Sequence, residues 1–349
     1  MNFKQVVVSR LQNIGDMIVF LPALKRLREN LPDARITLLG KHEGGIEIAK
    51  QCPWIDDIIV IQNRSLREKL RIIYKFRKMH IDLFIVSPQD QGKVPWAVMG
   101  GAKKIAAFHD IWDRGVVKRE KWKWGINIPL MFDRNKTETE NSIRLIDAAL
   151  EASGVKVESQ PDLYPVYDNF KPVTPAKINK LLRQFKNDSA SSIIVSSVIS
   201  KGSSKNWPAE NYILLFKRLI SNNNAQIILI GAESDTDKNN EIMKYFNSTE
   251  MISFVGKFSI DESAYLIKEA DLYIGTDSGP AHIAYAVGTP SVVFFKKENV
   301  ARWLTPYNIQ IKTVIIAENN DIKSIAEETV FNACQKFIQS KMCTGLNNQ

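Results

Sequence analysis

Cysteine is scarce in this sequence. Cys52, Cys334 and Cys343 are too few for a disulfide framework and match no zinc-site spacing. Their rarity points to a reducing, cytoplasmic compartment. Histidine is nearly as rare. His42, His80, His109 and His282 are the full set, and no two are spaced as a helical metal pair. No apolar run reaches the roughly 18 residues that a membrane-crossing helix needs. The first ten residues lack a secretory-signal plan, since one lysine leads straight into Val6-Val7-Val8 and then Arg10. Low-complexity tracts and short-period repeats are also missing, which excludes solenoids.

What is present is an ordinary globular composition with a basic balance. Hydrophobic residues make up 44% and charged residues 24%, so disorder is not the expectation. A length of 349 residues suits two domains better than one core. The net charge of +9 favours anionic partners: nucleic acid, an anionic membrane surface or phosphorylated small molecules. No nucleic-acid module accompanies the charge, so nucleic acid ranks last. Basic residues interleave with Trp122 and Trp124 in RGVVKREKWKW at 114–124. That pattern suits a phosphorylated glycolipid or the inner membrane surface; the alternative is a surface segment whose tryptophans cover the core.

Apolar runs alternate with amphipathic stretches from end to end. Gln5–Ser9 reads as a buried strand, followed by a helix over residues 16–30 with Pro22 inside it. Strands at 35–39, 58–61 and 82–87 and a basic helix at 66–79 complete the first set. A proline-marked stretch at 159–174 separates it from a second set that opens at Ser192. The second set has strands at 192–196, 226–230, 251–255, 272–275 and 291–295, with helices at 208–220, 263–269 and 279–286 between them. A long last helix at 322–340 is expected to pack back on the first domain, from its length alone. Strand–helix alternation predicts an α/β fold of two doubly wound domains, residues 1–165 and 166–349, facing a cleft.

Four turns carry candidate chemistry, each at the carboxyl edge of a predicted strand, where open α/β sheets bind ligands. Gly15-Asp16 follows the first strand. Asp16 is either a helix-capping carboxylate or a general base aimed at an acceptor hydroxyl. Lys205-Asn206-Trp207-Pro208 follows a polar loop that includes Ser200 and Lys201. A lysine and hydroxyls beside a helix start make a diphosphate site; the alternative is a solvated loop. Pro208 suits the first helical position. Gly231-x-Glu233 places a carboxylate either on ribose hydroxyls or at a helix start. Asp277-Ser278-Gly279-Pro280-Ala281-His282 is a small-residue turn whose backbone amides and helix dipole suit phosphate. His282, one turn into that helix, is read as a ligand contact rather than a proton carrier. Asp235-Thr236-Asp237 matches the Asp-x-Asp of metal-dependent sugar transferases, but three common residues at a helix start read as structural.

In this order, with Pro22-x-Leu24, Val255-Gly256 and Gly288-x-Pro290 between and after them, these motifs resemble glycosyltransferase family 9, the heptosyltransferases. The resemblance spans nearly the whole chain, and Asp-Ser-Gly-Pro-x-His is its most specific part. It implies a GT-B fold with two Rossmann-like domains, the acceptor on the first and the nucleotide sugar on the second. It implies Asp16 as catalytic base, Ser200 and Lys205 on the diphosphate, and Glu233 on the ribose. Asp277, Ser278, Gly279 and His282 are then donor contacts. The implied donor is ADP-heptose, with no metal and no further cofactor. The implied acceptor is an anionic glycolipid or lipopolysaccharide-core glycan, met at the cytoplasmic face of the inner membrane. Two departures bear on acceptor and sugar: Lys136-Thr-Glu-Thr-Glu140 stands where many relatives start a helix with histidine, and the run before Lys205 is rich in serine instead of threonine. The rival readings are a nucleotide-sugar epimerase of similar architecture and a non-catalytic sugar-nucleotide binding protein.

Overall fold

The computed structural model describes residues 3–113, 116–119, 123–157, 162–163, 175–186, 192–200, 202–304 and 311–345. The prolines at 161, 165 and 172, together with Lys201 and Trp122, lie outside the described residues. The chain forms two compact units. One is Met1–Asn169 with Ala301–Thr305; the other is Phe170–Val300 with Pro306–Gln349. The return of Ala301–Thr305 to the first unit has no counterpart in the division expected from sequence.

The first unit holds strands β1 (Gln5–Ser9), β2 (Arg35–Gly40), β3 (Asp57–Val60), β4 (Leu83–Val86), β5 (Lys104–Asp113), β6 (Val116–Arg119) and β7 (Ile128–Met131). Its helices are α1 (Ile14–Asn30), α2 (Glu43–Gln51), α3 (Leu66–Met79), α4 (Val94–Met99) and α5 (Glu138–Glu151). The sheet runs β3-β2-β1-β4-β5-β6, with β7 also on β5. Every pairing is parallel except β5 with β6. A parallel strand covered on both faces needs a continuous apolar run, and Val6-Val7-Val8 supplies it with no exposure. Val7, Phe76, Phe84, Val86 and Ile105 lie in one core between the sheet and α3 and α4.

The second unit opens with α6 (Pro175–Phe185). Its strands are β8 (Ser192–Ser197), β9 (Ala225–Leu229), β10 (Met251–Ser253), β11 (Leu272–Thr276), β12 (Ser291–Lys296) and β13 (Lys312–Ala317). Its helices continue as α7 (Ala209–Asn223), α8 (Thr236–Met243), α9 (Ile260–Glu269), α10 (Gly279–Val287), α11 (Lys297–Trp303, shared with the first unit's return) and α12 (Glu327–Gly345). The sheet order is β10-β9-β8-β11-β12-β13, parallel throughout. Length alone sends α12 back to the first domain; instead Val330, Phe331, Cys334 and Ile338 are buried in the second unit's core beside Leu215, Phe216 and Leu219. Pro208 caps α7 from outside the helix and is not its first residue.

Both sheets have the doubly wound order, reversing between β1 and β4 in one unit and between β8 and β11 in the other. At such a reversal the two neighbouring loops diverge and leave a crevice at the carboxyl edge. The same device ties each central pair from the opposite edge. An Asp82 carboxylate oxygen accepts from the amides of Lys4 and Gln5, and one of Asp271 accepts from the amide of Ile193.

Candidate functional site

In the first unit the loops after β1 and β4 meet at the reversal. α1 begins at Ile14 with Asn13 as its cap, so Asp16 is the third helical residue and not the cap itself. Its carboxylate accepts from the Asn13 amide at 3.2 Å and from the Gln89 side chain at 3.5 Å. The side chain keeps 15% exposure, enough to meet a ligand. Arg10 is buried beneath it. The Arg10 guanidinium donates twice to the Asp16 carbonyl, at 2.9 and 2.7 Å, and stands 3.7 Å from its carboxylate. The rest of that cation is met by Glu138, which is fully buried, accepts from Arg10 at 3.1 Å and also accepts from Arg302 at 3.0 Å. Glu138 lies in the Lys136–Glu140 stretch that departs from the family pattern.

Sequence reading missed Asp90. This buried carboxylate accepts from the Leu11 amide and the Ser87 hydroxyl at 3.0 Å, joining the two loops. Burial raises its pKa, and nearby Arg10 only partly opposes that. Lys93 is pushed the other way. Burial lowers its pKa against the pull of Asp90, and the charges of Lys41, Lys69 and Arg64 lower it further. Four cations thus share one end of this unit and favour an anion there.

In the second unit the loop after β8 and the turn after β11 also meet at a reversal. Trp207 is no ligand contact. It is 3% exposed, stacks edge-on against Tyr212, and donates its indole N–H to the Ile325 carbonyl at 2.9 Å. It anchors the loop that carries Lys205. Lys205 Nζ lies 2.6 Å from an Asp277 carboxylate oxygen. Asn299, another residue missed from sequence, donates to the same oxygen at 3.2 Å, and His282 Nε2 is 3.5 Å from the other. Burial opposes ionisation of Asp277, but the His282 hydrogen bond and the Lys205 charge outweigh it, so its carboxyl lies below the ordinary range. Ser278 stands just before α10 and makes no capping bond with its side chain; Gly279 opens the helix and Pro280 follows. The amides of that first turn have no partner within the helix and point their dipoles at the loop. Ser200 is fixed by its own amide, which donates to the Asn206 side chain at 2.8 Å. Lys205, Asp277, Ser278, Gly279 and His282 therefore come together around one turn.

Glu233 is exposed in a short turn after β9. Gly256, with φ of +72°, passes so close that a Cβ there would lie 2.9 Å from the Glu233 Cα. The Gly231-x-Glu233 and Val255-Gly256 motifs are thus two sides of one contact, sealed by the Gly256 amide donating to the Gly231 carbonyl at 3.0 Å. Asp235 is structural, as expected: its carboxylate accepts from the Ala232 amide at 3.0 Å. Among the described residues no group of three acidic, histidine or cysteine side chains is placed to hold a metal. Trp124 is 67% exposed and does not cover the core.

The sequence profile of glycosyltransferase family 9 (heptosyltransferase) matches residues 151–334, more than half of the chain. The chain belongs to this family. The family match covers the Lys205, Glu233 and Asp277–His282 elements and most of the second unit. Lipopolysaccharide heptosyltransferase 3 of Escherichia coli is 24% identical over 299 residues, spanning 83% of this chain and 82% of that protein. The solved structure of E. coli ADP-heptose LPS heptosyltransferase II superposes with a TM-score of 0.77 at 19% identity, over 97% of this chain and 99% of the other. A UDP-GlcNAc 2-epimerase from Methanocaldococcus jannaschii reaches 0.56 at 11% identity, over 95% and 91%. The family-9 chain has the two Rossmann-like units of the GT-B heptosyltransferases, a fold for handling sugar nucleotides.

Proposed function

We propose that the chain is an inverting, metal-independent glycosyltransferase that moves heptose from ADP-heptose to an anionic glycan or glycolipid of the lipopolysaccharide-core kind. The observation that carries this reading is the cluster of Lys205, Asp277 and His282 against the N-terminus of α10. A diphosphate placed there meets the Lys205 ammonium and the amides of a helix start. Glu233 is the group for ribose hydroxyls, and Ser200 adds a donor beside the diphosphate. The first unit supplies the base. Asp16 accepts the proton of the acceptor hydroxyl while that oxygen bonds to the anomeric carbon. The bond from carbon to diphosphate oxygen breaks, and the diphosphate leaves with the electron pair. One displacement inverts the centre. Lys205 and the helix dipole balance the leaving charge, a task that many sugar transferases give to a divalent ion. The cations Lys41, Arg64, Lys69 and Lys93 support an anionic acceptor. The proposed place of action is the cytoplasmic face of the inner membrane, and the scarcity of cysteine suits the reducing compartment on that side.

The test is incubation with a panel of nucleotide sugars and core-glycan acceptors, read by mass spectrometry, with and without excess chelator. The expected result is an acceptor heavier by one heptose, equimolar ADP, and no loss of rate in chelator. An isomerised sugar nucleotide without acceptor would make the chain an epimerase. Donor binding with no turnover on any acceptor would make it a binding protein. Activity lost in chelator and restored by magnesium or manganese would overturn metal independence.

A further inference from the structure

Helix α3 buries Glu68, Ile72, Ile73 and Phe76 against its own unit. Its opposite face should then be polar, and it is not. Leu66 is 69% exposed, Leu70 56% and Tyr74 60%. Residues four apart on a helix stand one above another, so the three form a single outward stripe. One exposed apolar side chain needs no explanation, whereas a continuous stripe of three does. Met99 is also exposed, and its carbonyl accepts from Arg77 Nε at 2.8 Å, which sets a fourth apolar residue beside this helix. The stripe is framed by charge of one sign. Arg67, Lys69, Arg71, Lys75, Arg77 and Lys78 stand on α3 against one acid, Glu68, which Arg71 already holds at 2.7 Å. Lys78 Nζ lies 4.6 Å above the Tyr74 ring, so the charge borders the apolar surface directly.

We infer that the outward face of α3 docks the protein on an anionic phospholipid bilayer, with Leu66, Leu70 and Tyr74 entering the headgroup layer and the surrounding lysines and arginines meeting lipid phosphates. Two other occupants fit worse. In a symmetric dimer the same patch faces itself, and here that sets like charge against like: besides Arg71, paired with Glu68, and Lys75, 4.0 Å from Asp57, it carries Arg67, Lys69, Arg77 and Lys78. A nucleic acid would use the cations but leave the stripe in water. A bilayer of negative headgroups satisfies both features at once. The inference deepens the proposed reaction, since it puts the enzyme on the surface where a lipid-linked acceptor is found. Its test needs neither donor nor acceptor, so its failure is separable from failure of the transferase reading.

The experiment is flotation of the full chain with vesicles of phosphatidylcholine alone or with about 30% phosphatidylglycerol. Binding is expected on the anionic vesicles and not on the neutral ones. The triple variant Leu66→Ser, Leu70→Ser, Tyr74→Ser should weaken binding on the order of tenfold or more, with an unchanged melting temperature. The single change Leu70→Lys, which adds charge while removing apolar area, should also weaken it. No binding by the wild type would overturn the inference, as would unchanged binding by the triple variant or stronger binding by Leu70→Lys. Sedimentation showing a dimer that the triple variant dissociates would assign the face to a second copy instead.

Discussion

In the free protein the Lys205 ammonium is directed at a buried carboxylate, and a bound diphosphate has to compete with Asp277 for it. Lys205→Ala should therefore act twice. Nucleoside diphosphate affinity should fall about 10- to 100-fold, the range for a lost charge-assisted contact, as read by calorimetry. Stability should fall by about 1–3 kcal/mol, because a buried acceptor loses a partner. Unchanged affinity would make Lys205 a structural cation only. Asp277 gives a pH signature with a fixed sign. Its folded pKa lies below the unfolded one, so the unfolded chain binds more protons as pH falls. The stabilisation is complete above about pH 4 and is lost as pH drops through the lower folded value. Asp277→Asn should lower stability at neutral pH and flatten the acid limb measured by urea unfolding at stepped pH. For Asp16 the informative change is Asp16→Asn, which can still accept from the Asn13 amide. Turnover should drop about 10²- to 10⁴-fold while donor affinity and melting temperature stay near wild type. A large loss of stability would favour the capping role, and normal turnover would remove Asp16 from the chemistry.

At the scale of elements, loops after strands were legible in the sequence and contacts between loops were not. Gly15-Asp16, Lys205 and Asp277–His282 each follow an apolar run and precede a helical one, so their place at the carboxyl edge could be read directly. Asp90 and Asn299 could not, because neither an acid in a polar loop nor an amide in a short helix gives a sign of its partner 79 or 22 residues away. The helix α2 escaped for a related reason. Its Gly44-Gly45 pair lowers helix propensity, yet a Cβ at Gly45 would lie 2.7 Å from the Gln12 carbonyl oxygen, so the glycine is set by the neighbouring loop. Gly256 makes the point testable. Gly256→Ala forces a Cβ onto a left-handed backbone and against Glu233. It should cost about 1–2 kcal/mol in chemical denaturation and weaken binding of ADP more than of inorganic pyrophosphate, since the displaced residue is the one assigned to ribose. Equal loss for both ligands would detach Glu233 from the ribose.

At the scale of the whole molecule, each unit holds its own buried thiol. Cys52 lies in the first unit, where burial pushes its pKa up to about 12 although a hydrogen bond with the Trp54 backbone and the charge of Arg28 oppose it. Cys334 lies in the second, its pKa also raised, first by burial and then by the charge of Glu327. A thiol that is neutral and covered does not react until its surroundings open. In a Cys343→Ser background, alkylation at the two positions therefore reports the opening of each unit separately. ADP at about 100 times its dissociation constant should slow labelling of Cys334 by up to about 100-fold and that of Cys52 less. Equal protection at both positions would mean that the nucleotide is not held by the second unit alone. The aspartate ties at Asp82 and Asp271 carry a different consequence, for biosynthesis. They join residues 77 and 78 positions apart in the two units. Each innermost strand finds its first partner early, β2 for β1 and β9 for β8, and then waits for its second. From the end of the first partner to the end of the second, Gly40 to Val86 and Leu229 to Thr276, translation at about 5–20 residues per second makes the wait about 2–9 s. For that interval, twice in every synthesis, a strand with an apolar centre has one hydrogen-bonding edge open to whatever is nearby, and the ribosome-associated chaperones have that long to cover it.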